Sequence, residues 1–169
     1  RKNVKAAIIV WDQQEKYLDR KHVIEAAWNW INMTIPVISS TFASFSRMCK
    51  NLGAETLGHL FIDEAGQALP QAAVGAIYRS RHVMVVGDPL QIKPVLTLDS
   101  NTLYMLGEHF GVTEKYLSAS ASAQILADAA SQYGFYRKQD KAEDSWVGIP
   151  LWVHRRCRYP MFTISNMIS

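Results

Sequence analysis

The sequence has little of what organises secreted, membrane or metal-stapled proteins. It has only two cysteines, Cys49 and Cys157, with no Cys-x-x-Cys pair and no nearby histidine at ligand spacing. Neither a disulfide framework nor a structural zinc site is therefore expected. No apolar run approaches the roughly 18 to 20 residues that cross a bilayer, and Arg1-Lys2-Asn3-Val4 opens a mixed polar segment unlike a signal peptide. A cytoplasmic chain with no membrane and no disulfide partner is the expectation. Charge of one sign is not in large excess: 18 Lys and Arg against 15 Asp and Glu leave +3, which permits nucleic-acid binding without requiring it. His22, His59, His82 and His109 show no metal-ligand spacing. No Gly-x-x-x-x-Gly-Lys-Ser/Thr string occurs, so a phosphate-cradling loop of that type is missing from these 169 residues. Internal repeats and low-complexity tracts are also lacking.

What the chain does have is 49% hydrophobic content, enough for one globular core. From Val4 to Ile31 the apolar residues Val4, Ile8, Trp11 and Leu18, then Val23, Ala27, Trp30 and Ile31, recur at helical spacing. Two helices are expected, breaking over 19–21, with Trp11, Trp28 and Trp30 packing the core or, alternatively, stacking on bases. After Pro36, residues 37–41 read as a short strand ending in hydroxyls, followed by a helix over 42–50. The runs at 59–62 and 82–86 are continuously apolar, as strands buried on both faces of a parallel sheet require. Between them, 69–79 reads as a crossover helix with Pro70 in its first turn and Ala72, Ala73, Ala76 and Ile77 as its stripe. Further on, short helices are expected over 101–106 and 122–130, the latter capped by Ser122. A polar loop over 138–144 and a strand around Leu151-Trp152-Val153 follow, with a last helix starting near Pro160. The basic residues Arg79, Arg81, Arg137, Lys138 and Lys141 read as solvated surface.

Each buried run leads into acid: Leu60-Phe61-Ile62 into Asp63-Glu64, and the run ending at Val86 into Gly87-Asp88. Ligands of open α/β sheets collect at the carboxyl ends of strands, so both acids are expected on one functional edge. An Asp there suits magnesium held largely through water, and an adjacent Glu suits orienting or deprotonating a water. Phosphoryl transfer uses both. The same pair also suits a turn that caps the following helix. In Gly87-Asp88-Pro89-Leu90-Gln91-Ile92-Lys93-Pro94 the glycine allows a tight departure, the prolines stiffen the loop and Gln91 brings an amide able to meet both a phosphate and a water. An ordinary strand-to-helix connection accounts for Gly87, Asp88 and Pro89 but not for the whole string.

DEAGQ at 63–67 and GDPLQIKP at 87–94 resemble motifs II and III of superfamily 1 helicases, in the branch of the nonsense-mediated-decay RNA helicase and its DNA-processing relatives. His154-Arg155-Arg156-Cys157-Arg158-Tyr159-Pro160 with Ser165-Asn166 resembles motif IV, with His154 for the usual Gln, Arg158 for the usual His and the proline one residue late. Val37 to Phe42 is similar to the strand-end motif that touches the nucleic-acid backbone. The wording PVISSTFASF, LFIDEAGQALPQAAVGAIYR, VVGDPLQIKPV and WVGIPLWVHRRC resembles a bacterial group of these proteins, and the likeness spans residues 36–169.

The resemblance implies an incomplete RecA-like α/β core with a parallel sheet flanked by helices. Residues 1–35 would be a helical segment, 36–150 the C-terminal part of the first RecA-like domain and 151–169 the start of the second. It implies ATP and Mg²⁺ as cofactors, single-stranded DNA or RNA as partner, and translocation or unwinding driven by hydrolysis. Asp63 would hold the metal and Glu64 would act as base. Gln67 would order motif II, while Gly87, Asp88 and Gln91 would meet the nucleotide. Arg156, with Arg155 as the alternative, would reach the γ-phosphate, and Ser40 and Thr41 would contact nucleic acid. Without the phosphate-cradling loop the fragment alone is expected to be inactive. A non-motor ATPase switch and a non-catalytic interaction module are the alternatives.

Overall fold

Helical spacing near the start of the chain produces two helices that pack on one another. Helix α1 spans Lys2–Asp12 and α2 spans Lys21–Thr34, joined through one 3-10 turn at Gln14–Tyr17. The structure, a computed structural model, describes residues 1–88, 94–95, 98–113, 116–117, 121–139, 142–149, 160, 163–164 and 167. The buried stripe of α2 is Ile24, Ala27 and Trp28, rotated from the expected Val23, Ala27, Trp30 and Ile31. Of the three tryptophans only Trp28 is buried; Trp11 lies edge-on to it at 6.1 Å between ring centroids, and Trp30 faces solvent.

Trp28 and Ile24 form one core with Cys49 and Leu52, against which Tyr17, Phe45, Met48 and Leu57 pack. Helix α3, Phe42–Met48, supplies part of that wall. The strand expected over 37–41 is not formed. A strand needs a ladder partner, and among the described residues the strand over 57–62 pairs with that over 80–85 alone. Val37 is instead exposed, and Thr41 is the N-cap of α3, its hydroxyl accepting from the Ser44 amide at 3.3 Å.

Strand β1 spans Leu57–Ile62 and strand β2 spans Ser80–Val85, joined by α4, Pro70–Tyr78, with Pro70 in its first turn. The two strands run parallel, with Leu60 opposite Val83 and Ile62 opposite Val85. One face packs on α4 in a second core of Ile62, Ala65, Ala73 and Ala123, with Phe42, Leu60, Ile77 and Val85 around it. In that helix Ala73 and Ala76 are buried while Ala72, expected in the stripe, is exposed. The other face is open, carrying the stacked His59 and His82 rings and leaving Phe61 69% and Met84 57% exposed. Parallel pairing thus holds, but burial on both faces does not: Phe61 and Met84 on the second face are exposed.

Arg79 and Arg81, expected as solvated charges, are structural. The Arg79 guanidinium donates to the carbonyls of Cys49 (2.9 Å) and Gly75 (2.8 Å), clipping the end of α3 to α4, and Arg81 Nε donates to Glu55 O at 2.8 Å. Five donors in a fixed fork suit this bridging of carbonyls.

Helix α5, Ser100–Phe110, starts at Asp99, whose carboxylate accepts from the Thr102 amide at 3.0 Å, and ends at Gly111 in the left-handed region. Helix α6 covers Ala123–Ala130, with Ser122 Oγ accepting from the Ile125 amide at 3.4 Å. Next come the antiparallel strands β3, Phe135–Gln139, and β4, Ala142–Val147. The polar loop expected over 138–144 is therefore mostly strand; cross-strand packing of Tyr136 on Trp146, at 5.1 Å between centroids, outweighs its polarity. The strand around Trp152 lies outside the described residues.

The chain divides into two compact units, Arg1–Ile125 and Leu126–Ser169. Its mixture of helices and strands, with a parallel pair joined by a helix, is compatible with an α/β class. Among the described residues no helix is long and apolar enough to cross a membrane.

Candidate functional site

The carboxyl ends of β1 and β2 lie side by side, because parallel strands joined by one helix end on the same edge. Asp63 and Glu64 follow β1 directly, and Gly87 and Asp88 follow β2 after Val86. The ladder continues past both strands: the Val86 amide donates to Ile62 O at 2.8 Å and the Ala65 amide to Val86 O at 3.0 Å. The two acid-bearing turns are thus bonded to one another through the backbone.

Two glycines make that approach possible. A Cβ on Gly66 would stand 2.6 Å from Asp88 O, and one on Gly87 would stand 2.7 Å from Gly66 N and 3.0 Å from Ala65 N. Gly87 is needed for this closeness, beyond the tight departure its sequence position indicates. The requirement for Gly66 is invisible in the sequence, where it is an interior letter of DEAGQ.

The backbone of Glu64 lies in the left-handed region, φ 53° and ψ 36°, which ordinary side chains disfavour. Asp63 Oδ1 stabilises this turn by accepting the Glu64 amide at 2.9 Å, and a 3-10 turn at Ala65–Gln67 follows. From its last residue, Gln67 Nε2 donates to Glu64 Oε2 at 3.1 Å. The carboxylates of Asp63 and Glu64 are both exposed, whereas Ala65 is fully buried in the core beneath them. The arrangement offers one carboxylate held by backbone and a second oriented by an amide, over a rigid floor.

The exposed Asp63 carboxylate is a donor of the kind Mg²⁺ accepts, since that ion commonly uses one or two protein carboxylates with waters completing its shell. No group of three or more His, Cys, Asp or Glu able to hold a metal occurs among the described residues.

Asp63, Glu64, Gln67, Gly87 and Asp88 are brought together. Ser40 and Thr41 occupy the segment before α3, where Ser40 Oγ donates to Thr41 O at 3.0 Å and Thr41 caps the helix. Phe42, the next residue, packs against the core containing Ile62 and Ala65. Gln91, Arg155 and Arg156 lie outside the described residues. The first turn of α6, expected as a helix start but not as part of the site, joins the same core: Ala123 is fully buried with Ile62 and Ala65, and its amide donates to Ala68 O at 2.8 Å. Comparison with protein-family models, with curated proteins and with solved structures gives no match.

Proposed function

We propose that this chain is part of a nucleic-acid-dependent ATPase of the superfamily 1 helicase type, contributing the magnesium-holding and water-activating half of a RecA-like nucleotide site. The observation that carries this reading is the union of Asp63-Glu64 with Gly87-Asp88 at the ends of two adjacent parallel strands. Bound Mg²⁺ would supply charge neutralisation at the phosphates. Asp63 would hold that ion through water, while Glu64, oriented by Gln67, would accept the proton of the attacking water. Gln91 and Arg156 would complete the site at the γ-phosphate, and Ser40 and Thr41 would meet the backbone of single-stranded DNA or RNA. The phosphate-cradling loop must come from elsewhere in the polypeptide.

The test uses a protein that carries both this chain and such a loop. Glu64→Gln should lower nucleic-acid-stimulated ATP hydrolysis by about 10²- to 10⁴-fold, the usual scale of general-base catalysis, with Mg-ATP binding retained. Unchanged hydrolysis would remove Glu64 from the role of base. Strand displacement by the same protein separates a motor from a non-motor switch.

A further inference from the structure

We infer that Gln124 is a positioning residue that sets the spacing between the Asp63-Glu64 turn and the Gly87-Asp88 turn. Resting on the reading of those carboxylates given above, this assigns a role to the first turn of α6, which no recognised motif includes.

Three observations converge on Gln124. Its neighbour Ala123 is locked in place, fully buried against Ile62, Ala65 and Ala73 with its amide bonded to Ala68 O at 2.8 Å. Ser122, also buried, secures the start of the helix through Ile125. The side chain of Gln124 therefore springs from a fixed base directly below the strand ends. Its Oε1 is buried and lies 2.8 Å from the point where a Gly87 Cβ would stand, the same point that is 2.7 Å from Gly66 N and 3.0 Å from Ala65 N. One amide oxygen and two backbone nitrogens thus share the space above Gly87. A side chain there fills the space beside both turns and resists collapse of one onto the other. Catalytic carboxylates need this support from behind, since a displacement of about 1 Å can cost about 100-fold in rate.

The test compares three variants in the complete ATPase. Gln124→Ala should lower kcat by about 10- to 100-fold with KM for Mg-ATP within about twofold. Gln124→Met, which keeps the bulk, should recover most of the loss, and Gln124→Ser, which keeps a polar atom without the reach, should not. Failure of Met to recover activity, or an unchanged kcat in Gln124→Ala, would overturn the assignment. A second arm uses the 169-residue chain and needs no activity. Amide hydrogen exchange over 63–68 and 85–88 should rise at least tenfold in Gln124→Ala, with α1 and α2 unchanged. Unaltered exchange at both turns would overturn the inference even if hydrolysis fell. A wild-type protein that does not hydrolyse ATP would instead refute the proposed function and leave the exchange result to decide the brace.

Discussion

At the scale of single residues, a methyl group added to either of two glycines tests the clasp between the strand-end turns. Gly66→Ala and Gly87→Ala would each drive a Cβ to within 3.0 Å of backbone atoms that have no freedom to swing away. Overpacking of this kind should cost about 1–3 kcal/mol each, and the double variant should lose less than the sum because both relieve the same contact. Urea unfolding measures it, and two neutral substitutions would disprove the clasp. Cys49 yields a pH prediction. Burial pushes its thiol up to about 11, against a smaller opposing pull from the Arg79 guanidinium. The unfolded thiol ionises near its ordinary value of 9.0, so above that pH the folded state holds the extra proton and stability falls as pH rises towards 11. That alkaline slope should flatten in Cys49→Ala, and iodoacetamide at pH 8 should label Cys49 only after unfolding. The sequence placed Asp63, Glu64, Gly87 and Asp88 correctly at strand ends because apolar runs ending in acids mark such positions. It was silent on the roles of Gly66 and Gln124 and misread Arg79 as solvated surface, because all three roles depend on chain segments distant in sequence.

At the scale of elements, the start of α3 rests on one hydroxyl. As N-cap, Thr41 accepts the Ser44 amide, so Thr41→Ala should destabilise the fold by about 1 kcal/mol while Thr41→Ser and Ser40→Ala stay near neutral. Thermal or urea unfolding of the three variants reads this out; a neutral Thr41→Ala would remove the cap from the account of α3. Helices were the most legible elements, since a 3.6-residue period, Pro70 and Ser122 each carry a local physical signal. The two parallel strands were legible as strands, but not their surroundings: an apolar run reports what a strand is made of and not what covers it. Residues 37–41 failed for the converse reason, having hydroxyl and β-branched side chains but no neighbouring strand among those described.

At the scale of the whole molecule, the open face of β1 and β2 dominates the expected solution behaviour. Phe61 and Met84 are neighbours across the strands and both more than half exposed, on a sheet that has two strands among the described residues. Exposed apolar surface of this kind favours self-association. The isolated chain should therefore scatter light increasingly with concentration, and Phe61→Lys with Met84→Lys should suppress this; no effect would locate the cause elsewhere. The same strand carries an internal control for function. Glu55 precedes β1 at φ 54° and Glu64 follows it at φ 53°, the same residue in the same disfavoured backbone at opposite ends of one element. Glycine at either site relieves a left-handed strain of about 1–2 kcal/mol against a smaller loss of chain entropy, and at 64 it also gives up the exposed hydrogen bond from Gln67. Under the proposed chemistry only Glu55→Gly is free of consequence for hydrolysis. A library screened for stability should accept glycine at both positions, and one screened for ATP turnover should accept it at 55 and reject it at 64, so β1 reports by its two ends which glutamate is kept for structure and which for reaction.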